Sequence, residues 1–172
     1  MFAQGLARTT QAYGDRIATI DGDKVQNWKE FGDRISRIAG GLRSIGCQSG
    51  DRIAILAATT PEHLATMYAV VWAGCVLVPL NTRLSPDELD HIVSQSESKA
   101  LASDIRNLAG AESVMSTTKN ALKTIAMDEG AAGEVSLDEL AKSASIDVWT
   151  AEMSDLFALY YTGGTTGLPK GV

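Results

Sequence analysis

Short apolar runs alternate with helix starts along the middle of this sequence, and that alternation is its strongest constraint on fold. Arg52–Leu56, Cys75–Val78 and Lys99–Ser103 read as strands. Thr60-Pro61-Glu62 supplies an N-cap, a first-turn proline and an early acid, and opens a helix to about Ala73 that Gly74 stops. Ser85-Pro86-Asp87-Glu88 is a capping box with the same proline, for a helix to about Gln95. Strand, helix and strand joined by short links predict an α/β fold: a mainly parallel sheet with helices on both faces. Ligands of such sheets sit at the carboxyl ends of the strands.

The flanks fit this frame. Phe2, Leu6, Thr9 and Tyr13 predict a short first helix, and Ile17–Ile20 and Lys24–Gln26 a hairpin around Asp21-Gly22-Asp23. Asn27 and Glu30 cap the next helix. Along it Trp28, Phe31, Ile35, Ile38, Leu42 and Ile45 step by threes and fours, a core-facing stripe that ends at Gly46. Leu122–Met127 reads as a further strand and Ser136-Leu137-Asp138-Glu139 as another capping box. Asn107–Gly133, rich in Ser, Thr, Ala and Gly, is expected to contain a variable or mobile stretch. Leu156–Tyr161 is expected to be a strand that is central in the complete sheet.

That last strand empties into Thr162-Gly163-Gly164-Thr165-Thr166-Gly167-Leu168-Pro169-Lys170-Gly171-Val172. Glycines let successive main-chain N–H groups approach one anion. Thr162, Thr165 and Thr166 add hydroxyl donors, and Lys170 adds a mobile positive charge. The segment is not a Walker A loop, because neither Gly163 nor Gly164 is followed at the right spacing by Gly-Lys. Read from residue types alone, it is either a phosphate cradle or a turn rich in small residues.

The remaining features exclude more than they assign. A net charge of −6 argues against a general nucleic-acid binder. Cys47 and Cys75 lie far apart without a C-x-x-C pair, so neither a zinc site nor a disulfide framework is expected, and both read as buried thiols. His63 and His91 are isolated and read as helix-surface residues. No basic start followed by an apolar core marks a secretory signal, so a cytoplasmic location is expected. Leu64–Leu80 carries no charge, but Gly74 and Pro79 interrupt it; it is read as a buried helix followed by a strand, without a transmembrane segment.

Tyr160–Val172, YYTGGTTGLPKGV, closely resembles the phosphate loop of the adenylate-forming superfamily, Y-T-S-G-T-T-G-x-P-K-G. Glycine at 163 in place of serine is similar to fatty-acyl-CoA synthetases. Gly50-Asp51-Arg52-Ile53-Ala54-Ile55-Leu56 resembles that family's G-D-R-V-A-I-L, and Ala73–Asn81 its A-G-A-V-x-V-P-L-N. Pro61-Glu62 and Leu84-Ser85-Pro86-Asp87-Glu88-Leu89 resemble two of its helix starts. Thr165-Thr166 leans toward the acid–CoA ligases within the superfamily.

The resemblance implies an ATP-dependent ligase that activates a carboxylic, fatty-type acid as acyl-adenylate and transfers it to coenzyme A (CoA). It implies ATP, Mg2+ and CoA as cofactors, with the acid and CoA as partners. Phosphate binding is expected at Thr162, Gly163, Gly164, Thr165, Thr166, Gly167 and Lys170. The later Y-G-x-T-E motif, hinge and catalytic lysine have no counterpart here. Residues 1–172 are therefore expected to form the N-terminal part of the large AMP-binding domain, cut just after the phosphate loop and without the C-terminal domain. No catalytic or metal-binding residue is assigned, and the chain alone is expected to be inactive. A non-catalytic ATP- or phosphate-binding module, or an inert truncated remnant, stays open as an alternative. An unpaired strand edge and exposed apolar surface are expected to favour self-association.

Overall fold

The computed structural model describes residues 2–118, 121–162 and 169–172. In chain order the elements are α1 (Phe2–Ala12), β1 (Ile17–Asp21), β2 (Lys24–Asn27), α2 (Trp28–Ser44), β3 (Arg52–Leu56), α3 (Pro61–Trp72), β4 (Val76–Pro79), α4 (Pro86–Gln95) and β5 (Ala100–Ser103). A 3-10 turn (Ile105–Asn107) then leads to α5 (Leu108–Thr117), β6 (Lys123–Ala126), β7 (Val135–Ser136), α6 (Leu137–Leu140), β8 (Tyr161–Thr162) and β9 (Lys170–Gly171).

Five strands form one sheet in the order β4-β3-β5-β6-β7, all pairs parallel. Parallel neighbours need crossovers, and the capped helices supply them. Side chains alternate between two cores. Ile53 and Ile55 of β3 face one core with Leu6 of α1, Phe31, Ile35, Ile38 and Leu42 of α2, Ala65 and Ala69 of α3, and Leu137 and Leu140 of α6. Ala54 and Leu56 face the other, with Leu89, Ile92 and Val93 of α4 and Ala111 and Val114 of α5. The sheet thus carries helices on both faces. The four large α2 residues are almost wholly buried, each worth about 2 kcal/mol of apolar transfer.

Local chemistry sets the helix starts. The Asn27 side chain accepts from the Glu30 N–H at 2.8 Å, and the Asn27 N–H donates to the Glu30 carboxylate at 3.0 Å. Ser85 with Glu88 and Ser136 with Glu139 repeat this reciprocal pattern. Gly74 ends α3 with φ +73°, a left-handed conformation that turns the chain straight into β4. The β1–β2 hairpin, closed by Gly22 at φ +56°, forms a separate antiparallel pair.

The structure adds two elements and corrects one expectation. The stretch after Asn107 contains a ten-residue helix, α5, that buries Ala111 and Val114. Val135–Ser136 adds a short fifth strand beside β6. Leu156–Tyr161 is not a continuous strand: Ala158 makes a single parallel bridge to Leu77, and only Tyr161–Thr162 continue as a strand, paired with β9. The chain here lies outside β4, the outermost strand of the sheet among the described residues. No helix among the described residues is long and apolar enough to cross a membrane.

Candidate phosphate-binding site

The segment leading to the glycine–threonine loop is tied to the sheet by two main-chain bonds. The Leu77 N–H donates to the Phe157 carbonyl at 2.9 Å, and the Leu159 N–H to the Leu77 carbonyl at 2.8 Å. Because this pairing is parallel, the chain leaves past the carboxyl end of β4, where ligands of open α/β sheets sit. Tyr161 packs against the α4–α5 core, and burial pushes its phenol pKa up. Thr162 and Lys170 then face each other across the β8–β9 ladder, with Tyr161 opposite Gly171. Tyr160 and Val172 exchange both main-chain bonds, at 3.1 and 2.8 Å.

Of the residues expected to bind phosphate, Thr162 and Lys170 are both exposed and stand directly opposite one another. Gly163, Gly164, Thr165, Thr166 and Gly167 lie outside the described residues. The two flanks therefore present a hydroxyl and an ammonium group from adjoining positions. This donor set suits the oxygens of a polyphosphate. Among the described residues no group of three or more His, Cys, Asp or Glu side chains could hold a metal ion.

The carboxyl ends of β3 and β5 carry a feature that the sequence did not single out. Asp104 is 3% exposed. One carboxylate oxygen accepts from the Ala58 N–H at 2.8 Å; the other accepts from the Asn107 N–H at 3.1 Å and its side-chain amide at 2.6 Å. The carboxylate thus joins the exits of two neighbouring strands. The strand following Lys99 was legible, but nothing local marks its last acid as buried. His63, in the first turn of α3, is half-buried and donates its main-chain N–H to the Thr60 hydroxyl at 3.1 Å. Burial lowers its pKa, and the nearby Asp104 charge opposes that shift. It is therefore not a plain surface residue, and His91 is also half-buried.

Two cavities bear on the site. A depression of about 250 Å3 opens at the carboxyl ends, lined by Leu56, Leu84, Pro86, Arg106 and Asn107 among others. A larger cavity of about 550 Å3, lined by Arg52, Gly74, Val76, Trp149, Met153 and Phe157 among others, opens at the amino ends of β3 and β4. The larger one is thus remote from the loop and belongs to the uncovered margin of the sheet. Its lining is mostly apolar, and its Arg52 guanidinium already donates to the Ser96 and Glu97 carbonyls and the Glu97 carboxylate.

Known proteins supply an independent comparison. The family model described as AMP-binding enzyme matches residues 6–172. A 4-hydroxybutyrate–CoA ligase of Metallosphaera sedula is 33% identical over 97% of this chain, which spans 32% of that protein. A long-chain-fatty-acid–CoA ligase of Thermus thermophilus is 36% identical over 64% of the chain and 20% of its own length. Among solved structures, an o-succinylbenzoate CoA synthetase of Bacillus subtilis, in complex with its acyl-adenylate intermediate, superposes with a TM-score of 0.78. It is 28% identical over 97% of this chain and 40% of that one. The chain thus spans about a third or less of the curated relatives it matches.

Proposed function

Since the chain belongs to the AMP-binding enzyme family, we propose that it forms the N-terminal part of the large domain of an ATP-dependent acid–CoA ligase. In this reading Thr162–Lys170 holds the phosphates of ATP. The single observation behind it is the ladder that sets Thr162 opposite Lys170 at the carboxyl end of a parallel sheet.

The chemical difficulty in acid activation is charge, because an anionic carboxylate must approach an anionic triphosphate. ATP supplies the electrophilic α-phosphorus that the acid attacks, with pyrophosphate leaving. The contribution of this chain is to hold and neutralise the leaving phosphates. The Lys170 ammonium lowers the repulsion, and the hydroxyls of Thr162, Thr165 and Thr166 with the main-chain N–H groups of Gly163–Gly167 orient the phosphate oxygens. Preorganised donors of this kind contribute about 3 kcal/mol each when aimed at developing charge. Mg2+ and CoA belong to the proposed full reaction, and no described residue is assigned to either. The acid is proposed to be of fatty type, in line with Gly163 and with the Thermus thermophilus relative, a long-chain-fatty-acid–CoA ligase. Residues 1–172 lack a Y-G-x-T-E motif, and the chain alone is proposed to form no acyl-adenylate.

The test has two arms. The 172-residue chain is incubated with ATP, a fatty acid and hydroxylamine; no hydroxamate is expected, and clear turnover would refute the assignment of the catalytic parts elsewhere. Hydrogen exchange with and without ATP then reads binding. Protection at Thr162 and Lys170–Val172, lost in Lys170→Ala without a change in melting temperature, supports the phosphate role. No protection in the parent chain refutes ATP binding by residues 1–172.

A further inference from the structure

Between α6 and Ala158 the chain crosses the end of the sheet without regular structure, yet it is fastened along its length. The Arg37 guanidinium donates to the Ser143 carbonyl at 3.4 Å, and the Ile146 N–H to the Ser36 carbonyl at 3.3 Å. The Trp72 indole N–H donates to the Ile146 carbonyl at 2.9 Å, and the Trp149 N–H returns to the Trp72 carbonyl at 2.9 Å. Trp149 is the last of these anchors before the bridge to β4.

Its indole lies against Gly74. A Cβ on that glycine would come within 2.7 Å of Trp149 Cγ and Cδ2. Above the ring, the Arg43 guanidinium carbon lies 6.0 Å from its centroid, within cation–π range, while Arg43 also donates to the Ala73 carbonyl at 2.5 Å. The Trp149 ring is therefore clamped to the turn that launches β4. The chain from Trp72 to Leu77 is shorter than the chain from Trp149 to Ala158, its partner in the bridge. The surplus is taken up by a turn at 152–155, where the Asp155 carboxylate accepts from the Glu152 N–H at 2.9 Å and the Trp149 indole N–H at 3.4 Å.

Among the described residues the segment meets β4 at one bridge, Ala158 with Leu77, so an anchor earlier in the chain adds to its register. A one-residue slip would send Leu159 to the opposite face and carry Thr162 out of line with it. We propose that Trp149 is a positioning residue for the phosphate loop: seated on Gly74, it pins the register of the loop strand against β4 and so fixes where Thr162 and Lys170 stand. This rests on the reading of that loop as a phosphate site.

The test uses the 172-residue chain and the variants Trp149→Ala and Trp149→Phe, with Met153→Ala as a nearby control. Amide hydrogen exchange and calorimetric titration with inorganic tripolyphosphate are measured. Trp149→Ala is expected to speed exchange at Leu159 and Val172 at least tenfold more than at Ala54 and Leu101, and to weaken tripolyphosphate binding at least fivefold. Trp149→Phe should recover most of both, and Met153→Ala should change neither. A uniform rise at all four amides, or unchanged exchange at Leu159, overturns the pin. Should the parent chain bind no tripolyphosphate, the phosphate reading fails by itself, and the exchange pattern still decides the role of Trp149. If Trp149→Ala does not fold, Trp149→Leu is read in the same way.

Discussion

The Asp104 carboxylate accepts the Ala58 main-chain N–H at 2.8 Å and so ties the exit of β5 to the exit of β3. The Asp128 carboxylate makes a second clamp of this kind, accepting the Ile105 N–H at 2.7 Å and tying the exit of β5 to that of β6. Replacing Asp104 with Ala leaves the Ala58 and Asn107 donors without their acceptor in a nearly closed environment. The expected cost is about 3 kcal/mol, read as a lower urea midpoint with an unchanged slope. Asp104→Asn retains one acceptor oxygen and should cost less. Equal losses would show that charge, not acceptor count, matters here.

His63 makes stability sensitive to mild acid. Burial holds its folded-state pKa below the ordinary histidine value, so the unfolded chain binds the proton more readily. The stabilising contribution is present above the ordinary value, near pH 6.5, and is lost as pH falls through the folded pKa. His63→Gln should flatten the stability profile between about pH 7 and pH 5, measured by melting across that range. An unchanged slope would remove His63 from the explanation.

Both thiols should be inert in the folded chain. Burial, with Asp51 adding to it, pushes Cys47 up to about 11, and burial with neighbouring Cys47 pushes Cys75 up to about 12. At pH 8 a thiolate-directed reagent is expected to label neither residue until denaturant is added. Labelling that keeps pace with a free thiol under native conditions would contradict this burial.

Leu140 of α6 and the chain that follows it sit too close to α2 for added methyl groups. A Cβ on Gly40 would collide with the Ala144 carbonyl oxygen, and one on Gly41 would come within 2.7 Å of Leu140 backbone and side-chain atoms. Gly41→Ala should cost about 2 kcal/mol despite its higher helix propensity. Gly5→Ala in α1 meets nothing within 4 Å and should be neutral or stabilising. Thermal melts of the two variants give opposite signs if packing decides.

The margin beyond β4 carries Met153 at 84% exposure, with Leu156 and Phe157 about half exposed. The chain is expected to bind a hydrophobic dye and to self-associate at micromolar concentration, and Leu156→Lys should reduce both. Sedimentation measures the association. A dye-silent monomer would show that these side chains are covered.

What the sequence made legible follows from how strongly each element is marked. The α2 stripe and the three reciprocal caps are dense local signals, and each helix begins where its cap stands. Helix α5 was passed over because its buried face is only Ala111 and Val114, and its Asn107 N-cap makes no side-chain bond. Strand β7 is two residues long, too short for any period to register. The loop strand was only partly legible, for a different reason. Leu156–Tyr161 reads as a continuous apolar strand, but it meets β4 at the Ala158–Leu77 bridge and then pairs with β9, both set by residues outside the run. The thiols are separated in sequence, and their proximity at the β3–β4 end is likewise a product of the fold. In the candidate site, the motif alone singled out Thr162 and Lys170, whose phosphate role is proposed above; it could not single out Asp104, which closes two strand exits.

The bonds exchanged by Tyr160 and Val172 make Thr162 and Lys170, two steps along the ladder, another hydrogen-bonded pair, about 5.5 Å apart. The ladder therefore joins the two ends of one covalent chain, closing a ring. Lengthening such a ring changes its closure entropy only logarithmically, whereas severing the ladder releases both ends at once. Insertions within the ring should consequently be milder than a single proline at Tyr160, whose N–H would be lost to Val172.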